Sequence, residues 1–276
     1  MRRLNTITEV RAARGGYSSL GLVPTMGFLH EGHLSLVRRA KAECGAAMVS
    51  IFVNPSQFGP GEDLEAYPRD LSGDLERLES VGADLAFTPA ATEIYPAGFD
   101  TRIEVGAVTR PLEGAARPGH FEGVATVVAK LLNIAQPTHA YFGQKDAQQA
   151  AVIRQMARDL DFPCQIVVAP TVREKDGVAM SSRNAYLAPA ERELAQALFV
   201  ALTAARVRFY EGETDAGALR QAALDVLALI PEIKVDYVSL ADPETMAELD
   251  VARRGAVVSL AVRIGKARLI DNLVLE

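Results

Sequence analysis

Cysteine is scarce: only Cys44 and Cys164 occur, far apart and in no metal-like spacing. That excludes a disulfide framework and a cysteine-built zinc centre, and leaves two reduced thiols in or near a core. No apolar run approaches the roughly 18 residues that span a bilayer. The opening residues, MRRLNTITEV, carry basic side chains with no apolar stretch behind them, so no secretory signal is read. A basic block is missing as well. Lys and Arg number 29 against 35 Asp and Glu, a formal net charge of −6, which offers no general attraction for nucleic acid or an anionic membrane. The expected setting is the reducing cytoplasm, and an anionic ligand needs a locally built pocket.

What is present is a long, apolar chain. With 276 residues and 49% hydrophobic content, it suits one large or two ordinary domains of roughly 100–200 residues. LGLVPTMG reads as a buried strand and turn, HLSLVRRAKAEC as a helix, and AAMVSIFVNP as a second strand. Such a unit implies α/β architecture, with a parallel sheet and a right-handed crossover. A second unit follows. EGVATVVAKLLNIA carries Val124, Val127, Val128, Leu131 and Leu132 on one helical stripe; THAYFG, AQQAAVIRQMARDL and CQIVVAP continue as strand, helix and strand. PSQFGPGEDLEAYPRD reads as a long mobile loop at the mouth of a site. Beyond Thr171 two Ala/Leu-rich helical stretches precede KVDYVSLAD and GAVVSLAVRIGKARLIDNLVL, whose alternation predicts strands with one solvated face. The expected division is residues 1–171 and a smaller α+β domain, residues 172–276.

Three segments carry chemistry. In VPTMGFLHEGHLSL, a glycine turn sets His30 and His33 at the start of a helix, where free N–H groups and a partial positive charge suit phosphate. Gly32 lets a ligand approach the backbone, and both imidazoles can donate to oxygens that gain charge in displacement at phosphorus. A metal pair or two capping histidines are the alternatives. In YFGQKDAQQ, Gly143 permits close approach and Lys145 is a point cation. There Asp146 can accept from ribose or cap a helix, and Gln149 offers donor and acceptor to a small polar substrate. In VREKDGVAMSSRNAYL, Ser181, Ser182 and Arg183 set two hydroxyls beside a forked cation, suited to the β- and γ-phosphates; an ordinary turn is the alternative.

Taken together, the HxGH turn, the lysine-bearing strand end and the Met-Ser-Ser-Arg loop resemble the nucleotidyltransferase superfamily, which includes class I aminoacyl-tRNA synthetases with their HIGH and KMSKS signatures. Within it the sequence resembles the pantoate–β-alanine ligase family. PTMGFLHEGH, SIFVNPSQF, RPGHFEGVATVVAKL, YFGQKDAQQ and REKDGVAMSSRN stand in that family's order over most of residues 20–190. The resemblance implies a Rossmann-like N-terminal domain, a C-terminal lid domain, a homodimer, and ATP with Mg²⁺. It implies ATP-dependent joining of pantoate to β-alanine through a pantoyl adenylate, with release of AMP and pyrophosphate.

By matching position, the resemblance assigns ATP to Met26, Gly27, Phe28, Leu29, His30, Glu31, Gly32 and His33. It adds Gly143, Gln144, Lys145 and Asp146, then Val172, Met180, Ser181, Ser182 and Arg183. His33 matches a catalytic proton donor, and His30, Lys145 and Arg183 join it as catalytic candidates. Gln57 and Gln149 match the pair that holds pantoate, with Gln57 also near β-alanine, and Pro24 and Met26 line the pantoate pocket. Asp74 is the expected magnesium ligand, because Gly73 stands where the family often has a second acidic residue. A transferase that stops after nucleotide transfer, or an inactive nucleotide sensor, shares the turn but needs neither glutamine.

Overall fold

The computed structural model describes residues 1–276. Its first part is a six-stranded, wholly parallel sheet of β1 (Arg2–Leu4), β2 (Gly21–Thr25), β3 (Ala47–Ile51), β4 (Leu85–Phe87), β5 (His139–Gly143) and β6 (Gln165–Ala169). The spatial order is β1-β4-β3-β2-β5-β6. The connections contain α1 (Ile7–Arg14), α2 (Glu31–Cys44), α3 (Leu71–Ser80), the single-turn α4 (Ala91–Ile94) and α5 (Glu113–Ala116), α6 (His120–Ala135) and α7 (Ala147–Asp159).

Period-two alternation decides which helices cover which face. Leu22, Met48, Leu85, Phe87, Ala140 and Phe142 pack with α1, α6 and α7. Their neighbours Val23, Val49, Ala86 and Tyr141 pack with α2 and α3. Both faces are therefore covered, as in a doubly wound Rossmann-like domain. The predicted stripe on α6 is buried, but burial runs nearly round the helix, taking in Phe121, Ala125, Ala129 and Ile134 too. The reason is that α6 also packs on the Pro55–Gln57 turn and on α1 and α7.

The second part comprises α8 (Pro189–Leu194), α9 (Gln196–Tyr210) and α10 (Ala216–Ala228), with an antiparallel sheet of β7 (Ile233–Ala241), β8 (Val257–Ile264) and β9 (Ala267–Val274) in that order. It has its own apolar core, built from α9, α10 and one sheet face. The other face is not simply solvated, which corrects the reading of the alternation. It turns towards the first sheet and carries polar groups that meet partners there. Asn272 makes a two-point contact with the carbonyls of Gln144 and Lys145, at 2.9 and 2.8 Å. Arg268 does the same with Glu113, at 2.6 and 2.8 Å, and Tyr237 donates to that carboxylate at 2.9 Å. No helix is long and apolar enough to cross a membrane.

Candidate active site

A crevice opens where the sheet changes direction. From β2 the chain builds outwards through β3 and β4, then returns to place β5 on the other side of β2. The β2–β3 ladder runs to Thr25 opposite Ile51, whereas β2 and β5 pair only at Gly21–His139 and Leu22–Ala140. Pro24 helps part them, since it has no N–H to give to a ladder. A cavity of about 230 Å³ lies at these carboxyl ends, the place where open α/β sheets take ligands. It adjoins a larger interdomain cleft of about 860 Å³.

One wall is the turn after β2. Gly27 and Phe28 both adopt left-handed backbone, with φ of 85° and 51°, at a cost of about 1 kcal/mol for the non-glycine residue. Asp74 holds the turn in place. Its carboxylate accepts from the Phe28 N–H at 2.8 Å and from the Leu29 N–H at 2.7 Å, and the residue is 1% exposed. Asp74, the expected magnesium ligand, thus lies beneath the turn with an amide on each oxygen and lines neither cavity. No group of three or more His, Cys, Asp or Glu side chains is placed to hold a metal.

The turn delivers His30 to the N-cap of α2 and His33 three residues on. The rings lie 4.1 Å apart. The His30 N–H donates to His33 Nδ1 at 3.3 Å, so a neutral His33 carries its proton on Nε2. Burial, then the neighbouring His30, brings the His33 pKa down to about 3. Burial, then Lys145, brings that of His30 down to about 4. Both are hydrogen-bonding groups rather than cations at neutral pH, and His30 Nδ1 is buried with no partner.

Gly32 has a role beyond admitting a ligand. A Cβ there meets His30 Cε1 and Nδ1 at 2.9 Å, so the missing side chain makes room for the ring. Gly32→Ala is expected to displace His30 and lower turnover about tenfold or more, because small misplacements are costly in catalysis. Thermal stability is expected to hold or rise slightly, alanine being the better helix former. Steady-state kinetics and a melting curve check both halves; unchanged turnover would remove His30 from the site.

The facing wall comes from the end of β5. Lys145 Nζ lies 3.3 Å from Asp146 Oδ1. Burial raises the Asp146 pKa, but the charge and hydrogen bond of Lys145, together with Arg183 and His33, outweigh it and the net shift is downward. Asp146 occupies the N-cap position of α7 without a side-chain capping bond. Asn272 on β9 fixes this segment, donating to the carbonyls of Gln144 at 2.9 Å and Lys145 at 2.8 Å and accepting from the Gln144 amide at 3.1 Å. Gln149 lines both cavities. Its neighbour Gln148 is a structural pin, bonded to the Glu113 N–H and to the carbonyls of Val108 and Pro111.

The third wall is the loop from Val172 to Arg183. The Met180 N–H donates to the Val172 carbonyl at 3.0 Å, and Ser182 Oγ donates to the Phe28 carbonyl at 3.2 Å, tying the loop to the histidine turn. Arg183 lines the cavity, but its fork is engaged by Asp63 at 3.1 and 3.0 Å, with Tyr186 also donating to Asp63. The stretch read as a mobile loop is thus pinned at the cleft by its acidic residues.

The floor is the turn at Asn54–Gln57. Asn54, 1% exposed, donates to Gln57 Oε1 at 3.0 Å and to the Gly123 carbonyl at 3.1 Å. Its own oxygen accepts from Tyr95 Oη at 2.8 Å. The Gln57 amide is thereby oriented with Nε2 towards Met26 Sδ, at 3.2 Å. A Cβ at Gly123 meets the Ser56 carbonyl oxygen at 2.3 Å, so glycine is what lets α6 press against this turn.

Of the expected residues, Pro24, Met26, His30, Gly32, His33 and Gln57 line the smaller cavity. So do Gly143, Lys145, Asp146, Gln149, Val172 and Met180–Arg183. Gly27, Phe28 and Leu29 lie behind the histidine turn, Glu31 is paired with Arg38 at the surface, and Gln144 reaches towards the second domain. Asn54, Arg117 and His120 also line the cavity; they stand in motifs visible in the sequence, but only the fold shows that they face inwards.

The chain as a whole is similar to known proteins. A family model described as Pantoate-beta-alanine ligase matches residues 2–274. A pantothenate synthetase of Herpetosiphon aurantiacus is 60% identical over the full length of both chains. The crystal structure of pantothenate synthetase from Thermus thermophilus superposes with a TM-score of 0.96 at 49% identity, covering 100% of this chain and 99% of that one. That of a pantoate–β-alanine ligase from Francisella tularensis, complexed with β,γ-ATP and β-alanine, gives a TM-score of 0.82 at 35% identity over 100% and 98%. The chain belongs to the pantoate–β-alanine ligase family.

Proposed function

We infer that this chain joins pantoate to β-alanine at the expense of ATP, with pantoyl adenylate as the intermediate and AMP and pyrophosphate as by-products. One observation carries the reading: His30, His33, Lys145 and Arg183, widely separated in sequence, line one cavity together with Gln57 and Gln149. Lys145 and Arg183 supply positive charge for the triphosphate. His33 Nε2 donates to an oxygen that gains charge as the pantoate carboxylate attacks the α-phosphorus. Gln57 and Gln149 are neutral and two-sided, as a hydroxy acid requires. Positioning and charge stabilisation are the main tasks in such a displacement. The β-alanine amine then attacks the acyl carbon and displaces AMP.

Magnesium fits a site of this composition only as an ion held mainly by the phosphates, because no cluster of ligand side chains is present. Asp146 is the carboxylate nearest Lys145 that lines the cavity, and the ion would offset phosphate charge there. A homodimer and a cytoplasmic location complete the proposal, as does a division into residues 1–171, carrying substrate, and 172–276, closing over it. Incubation with ATP, pantoate and isotopically labelled β-alanine is expected to yield labelled pantothenate with equimolar AMP. Nucleotide transfer to another acceptor with no amide would overturn the reading.

The cavity histidines also predict an acid limit to stability. Burial leads the fall in pKa to about 4 for His30, about 3 for His33 and about 4 for His120. Above pH 6.5 folded and unfolded chains are equally neutral at these sites. Below it the unfolded chain takes up protons that the folded one refuses, so stability is full above 6.5 and falls towards pH 4. The slope is about 1.4 kcal/mol per pH unit for each histidine. Urea midpoints at pH 7.5 and 5 measure it, and equal midpoints would contradict the burial of three neutral imidazoles.

A further inference from the structure

Three Lys or Arg side chains line the smaller cavity: Lys145, Arg183 and Arg117. The first two serve the triphosphate in the reading above, on which this inference rests. The reaction has one more anion to accommodate. The pantoate carboxylate is consumed in forming the adenylate, but the carboxylate of β-alanine persists unchanged from substrate to product. Enclosing it in a cleft without a cation is costly. Arg117 is the remaining cation of the smaller cavity; it also lines the adjoining interdomain cleft, whose other cations, Arg263, Lys266 and Arg268, do not line the smaller cavity.

Its surroundings prepare it for a carboxylate. The side chain is 15% exposed. An arginine only donates, so the 3.0 Å contact of Nη1 with His120 Nε2 makes that nitrogen the acceptor. His120 therefore carries its proton on Nδ1 and donates it to the Gln57 carbonyl at 2.9 Å. The guanidinium is thus tied, through a buried neutral imidazole, to the turn that presents Gln57. Its outer edge already holds a carboxylate in the two-point geometry that arginine favours: Nε and Nη2 donate to Glu62 at 2.9 and 2.6 Å. Glu62 belongs to the same cleft segment as Asp63, which occupies Arg183 in the same manner.

We propose that Arg117 is the specificity-determining anchor for the carboxylate of the amine substrate, and that Glu62 is an internal stand-in which that substrate displaces. The orientation follows from the chemistry. With the carboxylate on Arg117 and two methylenes between it and the nitrogen, the amine is directed away from the guanidinium and towards the acyl carbon beside Gln57. An amine without the distal anion lacks this hold.

The test compares β-alanine with 3-aminopropanamide, which keeps the amine and the chain but not the charge. In Arg117→Gln, kcat/KM for β-alanine is expected to fall about 10- to 100-fold, the scale of a charge-assisted two-point contact. That for 3-aminopropanamide is expected to change far less, collapsing the preference between the two. Glu62→Gln removes the competitor and is expected to lower KM for β-alanine, the opposite sign to structural damage. It decides the matter if Arg117→Gln does not fold. Equal losses with both amines, or a raised KM for β-alanine in Glu62→Gln, would overturn the proposal. If the unaltered protein forms no amide from β-alanine, the functional reading itself fails; if it does and the preference survives in Arg117→Gln, only this inference fails.

Discussion

Replacing Lys145 with methionine is expected to lower pantoate-dependent ATP–pyrophosphate exchange by about 10²- to 10³-fold, the usual cost of losing one preorganised group that faces developing charge. The two imidazoles across the cavity are neutral, and Arg183 is engaged by Asp63 until a ligand competes for it. Lys145 is therefore the cation least encumbered by partners, its one ion pair being the 3.3 Å contact with Asp146. Methionine keeps most of the length and apolar stem, and the segment stays fixed because Asn272 grips its backbone rather than its side chain. The fold is expected to persist. A second readout is independent of turnover: Lys145 helps to depress the His30 pKa, after burial, so removing it should move the His30 titration upwards by NMR. Exchange within a few-fold of the unaltered protein would exclude Lys145 from the chemistry.

Asp74→Asn is expected to cost about 3 kcal/mol of stability and to abolish most activity. The carboxylate presents two acceptors to two amide N–H groups. An asparagine presents one oxygen and sets an NH₂ against the other donor, leaving a buried group unpaired at about 1–3 kcal/mol. Phe28, held in left-handed backbone, then loses a contact that fixes it, and His30 and His33 lose their platform. Chemical denaturation measures the first effect. The second separates this role from metal binding, since added magnesium should rescue neither stability nor turnover. A variant of normal stability with a raised magnesium requirement would restore the metal reading.

Much of the fold was legible because a parallel sheet covered on both faces leaves continuous apolar strands, as in β2, β3 and β5. The edges were less so. β1 and β4 have only three residues each, too few for any period to register. The first helix has a Thr6 and Glu9 capping box, but Ile7–Arg14 is short and largely polar and offers little periodicity. The C-terminal strands mislead for a different reason. Arg268 and Asn272 alternate as solvated residues do, yet they meet Glu113 and the Lys145 segment across the cleft. Nothing local distinguishes a polar residue facing water from one facing a partner domain.

The site divides in the same way. His30, His33, Lys145 and Arg183 sit in short motifs whose chemistry is local, so they could be named from spacing. The second life of Gly32, the clamp at Asp74 and the pairing of Glu62 and Asp63 with two arginines depend on chain segments that meet only after folding. Asp74 is the clearest case: only the fold shows its carboxylate buried beneath two amides, where it supports the backbone of the histidine turn.

A crystal structure with ATP and pantoate bound tests the central claim most directly. The account predicts phosphate oxygens within hydrogen-bonding distance of His30, His33, Lys145 and Arg183 together, with Arg183 released from Asp63. A nucleotide seated elsewhere, or phosphates that leave the Arg183–Asp63 pair closed, would contradict it.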